Sequence, residues 1–424
     1  MRLGQRDGRW GVDAALTNVA VLPWQQAPGG GPLDAWVQAR DLRGRVTFNS
    51  AGDSTLYFPK LFDVPMQLRH AEGIVEWVYD GPNTMISGRE LNVDWDGAKV
   101  SGGFGLITGQ QNGQFGLDIA FADVDARTRP LSQWLPMKAF DPALRDWLAN
   151  DIGGRVPQGS LKLSQPLGPN ASSEQLSATL ALAVEQGRLP MAPGWPALEE
   201  IEGRLLWQGG VLQADVARAQ SQGGDVTNGL VRMEEKQPLA LSADLNSDGD
   251  ALLRFLQAMP DTGPLPLGDL VAEGQLDGDI ALVLPLEAPE TLQLELNVRP
   301  ALAVIDVVSL PITLRDIDGE LHWQQVGPEH ALTGALSSRW QGGDLQATFT
   351  ADERVTLDGR VASSALWALA GVPAEQARQV VDGSAQWQAE IALSPSPLVT
   401  LQSRLIGMTS ALPAPFAKRS EEPW

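Results

Sequence analysis

The chain has 424 residues, 43% of them hydrophobic, enough for two to four domains or one long repeat array with a sizeable core, which excludes global disorder. Lys+Arg 31 against Asp+Glu 52 leaves a net charge of −21, a surface that repels phosphate backbones, so no nucleic-acid partner is expected. Cysteine is absent, which removes disulfides, thiolate nucleophiles and cysteine metal sites together.

The first residues, Met1 to Asp7, lack the apolar core of a signal peptide. No stretch approaches the roughly 20 consecutive apolar residues that span a bilayer. An exported form would therefore take its exporting segment from sequence outside this chain.

Along the chain the dominant signal is period-two alternation, which on a strand sends large apolar side chains to one face. Leu117-Asp118-Ile119-Ala120-Phe121 alternates in this way, as do Leu176 to Val184 and Leu292 to Val298. Parallel strands would read as continuous apolar runs between long helices, so the sheet is expected to be antiparallel. Helical patterns are brief. Asp141 to Leu148 offers an Asp cap, Pro in the first turn and Leu144, Trp147 and Leu148 on one face. Asp248 to Met259 and Ser364 to Ala370 carry similar short apolar patterns.

An internal repeat organises these elements. Leu68, Ala71, Gly73, Val75 and Trp77 have counterparts in Leu198, Ile201, Gly203, Leu205 and Trp207, and again in Leu314, Ile317, Gly319, Leu321 and Trp323. The three glycines lie 130 and 116 residues apart. Each copy is followed by a turn element: Trp95-Asp96-Gly97, Gln222-Gly223-Gly224-Asp225 and Trp340-Gln341-Gly342-Gly343-Asp344. A short helix comes next, then a strand restart at Gly159, Gly268 and Gly383. The expected organisation is a first β-repeat over 1–125, a second over 126–245 opened by a helix at 141–150, a third over 246–363 opened by a helix at 248–259, and the start of a further one over 364–424.

Residues able to carry chemistry do not assemble into a motif. His70, His322 and His330 are the three histidines, with no zinc-type spacing and no nucleophile elbow among them. Asp244-Leu245-Asn246-Ser247-Asp248-Gly249 resembles the opening of a calcium loop, but the closing Glu position falls on Phe255. The plainer reading is a strand-to-helix turn capped by Asp248 or Asp250. Gly102-Gly103-Phe104-Gly105 lacks a following helix to hold a phosphate and reads as a tightly packed strand. No enzyme activity and no cofactor are expected.

The block Leu135-Pro136-Met137, Leu144-Arg145-Asp146-Trp147-Leu148 and Gly153-Gly154-Arg155-Val156-Pro157-Gln158-Gly159-Ser160-Leu161 resembles the YhdP branch of the AsmA-like proteins, a group related also to TamB. The Ile-x-Gly-x-Leu-x-Trp repeats and the terminal Leu405 to Lys418 are similar to the same branch. The resemblance covers most of residues 8–418. It implies a mainly β fold, an elongated repeating β-groove of antiparallel strands with an apolar interior and a few short helices. It implies a periplasmic protein, anchored to the inner membrane in its full-length form, that conducts phospholipid between inner and outer membranes. Its partners would be phospholipid acyl chains and the remainder of its own chain, and both membranes would be reached only through segments absent here. The candidate groove lining is Val75, Trp77, Leu117, Ile119, Phe121, Leu161, Leu163, Leu180, Leu182, Val184, Leu205, Trp207, Leu292, Leu294, Leu296, Leu321 and Trp323.

The apolar faces are consistent with that reading, since each methylene removed from water contributes about 0.8 kcal/mol and needs no directional contact. Two other readings compete. One is an envelope scaffold that binds protein partners at open strand edges. The other is a glycan-active or glycan-binding β-protein that uses its 14 Trp as sugar platforms.

Overall fold

A computed structural model describes residues 1–6, 9–24, 28–50, 52–109, 113–140, 142–168, 171–172, 175–190, 194–234, 237–258, 267–285, 287–309, 312–369, 371–372, 380–392 and 398–424. It is mainly β, 69% strand and 9% helix, and the pairings between neighbouring strands are antiparallel. The early strands are β1 Arg2–Arg6, β2 Arg9–Val21, β3 Gly29–Arg40, β4 Arg43–Asn49, β5 Ser54–Tyr57, β6 Met66–Asp80, β7 Asn83–Trp95, β8 Ala98–Gly109 and β9 Gly113–Asp125. Helices α1 Leu131–Trp134 and α2 Pro142–Leu148 follow. Next come β10 Gly153–Leu167, β11 Ser177–Leu189, β12 Leu198–Gln208, β13 Val211–Ser221, β14 Gly224–Glu234 and β15 Leu239–Asp248, then α3 Gly249–Ala258. The chain continues with β16 Leu270–Leu284, β17 Gln293–Val307, β18 Ile312–Val326, β19 Glu329–Trp340, β20 Gly343–Thr350 and β21 Arg354–Ala362, then α4 Ser363–Leu369. It ends in β22 Val381–Ala392, β23 Leu398–Ser403 and β24 Met408–Ser410.

The repeated Gly-x-apolar-x-Trp pattern falls on β6, β12 and β18, one in every six strands. The repeated turn elements join β7 to β8, β13 to β14 and β19 to β20. At each, both central residues have positive φ: Asp96 and Gly97, Gln222 and Gly223, Gln341 and Gly342. Two positive-φ residues in a two-residue connection match the twist of antiparallel strands, which is why a glycine recurs there. Helices then follow β9, β15 and β21, again six strands apart. Strands therefore end alternately on a helix side, which also carries these repeated turns, and on an opposite hairpin side formed by the β6–β7, β8–β9 and equivalent connections.

The chain divides into two compact units, one formed by 1–190, 198–217 and 231–236, the other by 191–197, 218–230 and 237–424. In the first unit the strands are bulged at Asn18, Glu90, Gln186 and Glu200, residues with positive φ where the pairing register slips. Asp316 does the same in the second. All these bulges sit in the helix-side half of their strands, where an extra residue bends the strand.

The short helices appear where the sequence places them, and α1 was not foreseen. Asp141, Met259 and Ala370 lie outside the described residues. Asp248, not Asp250, caps α3: its Oδ1 accepts a hydrogen bond from Ala251 N at 2.6 Å. The calcium-like sequence is extended strand rather than loop. Asp244 and Asn246 sit on the exposed face of β15, bonded across to Asn228 at 2.8 Å and Asp277 at 2.7 Å. Gly102 to Gly105 lie within β8.

Candidate functional site: an uncharged sheet face

Directly opposed residues on antiparallel strands share a face, so the register alone says which side chains meet. In the first unit Leu161 opposes Ile119 on one side and Leu180 on the other, and Leu180 opposes Trp207. Phe121, Gly159, Leu182 and Leu205 form the next row, and Val184 opposes Gly203 beyond them. Leu163 opposes Leu117, which leads through Phe104 and Gly88 to Val75 and then Val46. Trp77 opposes Ile86, followed by Leu106 and Phe115. All twelve candidates of this unit thus lie on one face. No Asp, Glu, Lys or Arg stands in any of these rows.

The second unit repeats the arrangement. Leu294 opposes Leu282, Leu296 opposes Ile280 and Trp323, and Leu321 opposes Val298 and Gly334. Leu292 lies just ahead of β17. The Trp323 ring stacks on His330, with centroids 5.0 Å apart and planes inclined by 10°.

This face is neither sealed nor bare. Of the candidates only Leu294 is buried, at 4% exposure, and the other sixteen are half-buried. Among the described residues no large side chain is completely enclosed. A closed sandwich would bury such residues on a second sheet.

Glycines shape the surface. Trp77 opposes Gly44, Phe104 opposes Gly88, and Phe121 opposes Gly159. In each pair a Cβ on the glycine would collide with the aromatic ring, so the ring occupies the space a side chain would fill. A glycine across the strand lets the ring settle toward the backbone instead of standing away from it. The sequence reading missed Phe104, Ile86, Leu106 and Phe115. Alternation in β7 to β9 marked the first of these weakly, because three glycines interrupt β8.

Helices pack at one side of the face. In the second unit α3 sets Leu253 on Ala272, Leu302 and Ile317, with Leu256, Leu270 and Leu314 packed around them. In the first, Trp134 of α1 meets Trp95 at 5.0 Å, and Phe62 meets Trp95 edge-on at 5.9 Å. The opposite face of the sheet is polar. Arg89 bonds Glu76 at 3.2 Å and holds its carboxyl below the usual range, with desolvation opposing and Arg45 assisting. Lys162 faces Asp118 at 3.4 Å, and Arg299 faces Asp279 at 3.4 Å.

The histidines are separate: His70 lies 3.6 Å from Glu72, His322 bonds Asn297, and His330 stacks on Trp323. Among the described residues no three His, Asp or Glu side chains are grouped to hold a metal ion. No described helix is long and apolar enough to cross a membrane. No curated protein matches the chain. The model of the YhdP protein family matches residues 1–424. With that match end to end, and an antiparallel β-architecture repeating every six strands, the chain belongs to the YhdP family.

Proposed function

We propose that this chain holds phospholipid acyl chains along its uncharged sheet face and conducts them between the inner and outer membranes as a segment of a periplasmic bridge. Binding here is non-catalytic. The observation that carries the reading is the run of register rows without a single formal charge, whose large side chains are half-buried and await a cover. A hydrocarbon tail supplies that cover, at about 0.8 kcal/mol per methylene, and membership of a family related to lipid-transfer proteins agrees with it. Native mass spectrometry of gently purified protein should find co-purifying phospholipid. Delipidated, monodisperse protein that takes up no labelled lipid would overturn the reading.

A second reading, a scaffold that binds protein partners at strand edges, is favoured by β23. Its Leu398, Val399 and Leu401 are 64%, 55% and 58% exposed, with no charge along the strand to discourage pairing. Loss of a partner on Val399→Lys, with lipid uptake unchanged, would support it.

A further inference from the structure

We propose that the face selects lipid by headgroup charge, favouring zwitterionic over anionic phospholipid; this rests on the acyl-chain reading above. With helices packed at the other side, headgroups lie, on that reading, at the hairpin side. In the first unit, the described residues of that side from β6 to β13 are 79–86, 106–109, 113–115, 163–168, 171–172, 175–179 and 205–213, and they contain no Lys or Arg. On the apolar face, one row beyond Trp77, Tyr79 opposes Thr84 and Thr84 opposes Thr108. The last polar groups before solvent are therefore three neutral hydroxyls in line, able to donate and accept but unable to neutralise a phosphate.

In the second unit the same side carries Glu287, Glu290, Glu329, Asp352 and Glu353. Its cation, Arg354, is engaged by Glu390 at 2.8 Å and Asp352 at 3.1 Å, and His330 lies 3.9 Å from Glu353. The first unit also has basic residues on this side: Arg6 and Arg9 opposed at the β1–β2 connection, Arg40 and Arg43 at the β3–β4 hairpin, and Arg232 near the end of β14. Arg40 is tied to Asp13 at 2.8 Å and Arg232 to Glu234 at 2.7 Å. Three cations on the helix side are paired: Arg127 with Asp125 at 2.7 Å, Arg155 with Asp123 at 3.2 Å, and Arg188 with Asp151 at 2.9 Å. A phosphate brings uncompensated negative charge to this rim, whereas the ammonium of a zwitterion carries its own compensation.

The test offers the full chain an equimolar mixture of phosphatidylcholine and phosphatidylglycerol with identical acyl chains, at low ionic strength, and counts bound lipids by native mass spectrometry. Phosphatidylcholine should be enriched by about threefold or more, with the bias fading at high salt as screening shortens the field. A Thr84→Lys/Thr108→Lys variant should move the ratio toward phosphatidylglycerol by a similar factor, and Glu290→Gln/Glu329→Gln should move it the same way in the other unit. Equal or anionic-favoured binding by the unaltered protein, or ratios unmoved in both variants, would overturn the charge selection alone. Binding of neither lipid would overturn the acyl-chain reading with it.

Discussion

Phe104 fills the space that a side chain on Gly88, its partner across β7 and β8, would need. The pair is therefore one packing unit, with size on one strand matched by absence on the next. Gly88→Ala should displace the ring and lower stability by about 1–3 kcal/mol, a typical cost of overpacking. The same change in a Phe104→Leu background should cost about 1 kcal/mol less, because contacting residues couple. Urea denaturation of the four proteins measures the cycle, and additive effects would show that the ring does not rest on Gly88.

The half-buried and buried parts of the apolar face should respond differently to charge. Leu294 is 4% exposed and paired with Leu282, so Leu294→Asp should destabilise by about 4 kcal/mol through a carboxylate buried without a partner. Leu182, half-buried between Gly159 and Leu205, should tolerate Asp at a cost of about 1 kcal/mol. Lipid uptake by Leu182→Asp should nevertheless fall sharply. Circular dichroism melts and a labelled-lipid uptake assay separate the two outcomes.

The start of α3 is held by Asp248, whose carboxylate accepts from Ala251 N. Asp248→Ala removes the acceptor for Ala251 N and should cost about 1 kcal/mol, whereas Asp248→Asn should recover most of it. Asp250→Ala should change little, since its nearest cation, Arg254, is 4.0 Å away at an exposed site. Denaturation midpoints of the three variants check this.

Acid sensitivity should be traceable to Asp125 at the end of β9. Hydrogen bonding by the Arg127 side chain, supported by backbone N–H groups and opposed by desolvation, lowers its carboxyl to about 2. A carboxylate lowered in the folded state stabilises above its ordinary value near 4, and that stabilisation is lost as pH falls through about 2. The side chain is 32% exposed, so the contribution is about 1 kcal/mol after solvent screening. Asp125→Asn should therefore be less stable by that amount at pH 7 and equal to the parent near pH 2, by urea denaturation at both values.

Sequence alone determined the class and the faces. Alternation has a period of two residues and needs no partner to be visible, so Leu117, Ile119 and Phe121 declared a shared face before any neighbour was known. The Gly-x-apolar-x-Trp copies and the turn glycines likewise located equivalent strands, because φ > 0 restricts residue choice locally. Tertiary structure decided what depends on neighbours: that Phe104 belongs with Gly88, that Leu294 alone among the candidates is buried, and that Asp248 is the cap. It also decided where the strands bend, since the bulges at Glu90, Gln186, Glu200 and Asp316 use polar residues that read as ordinary outward-facing strand positions. Register and burial belong to pairs of strands, and a one-residue slip exchanges the two faces, so no single segment contains that information.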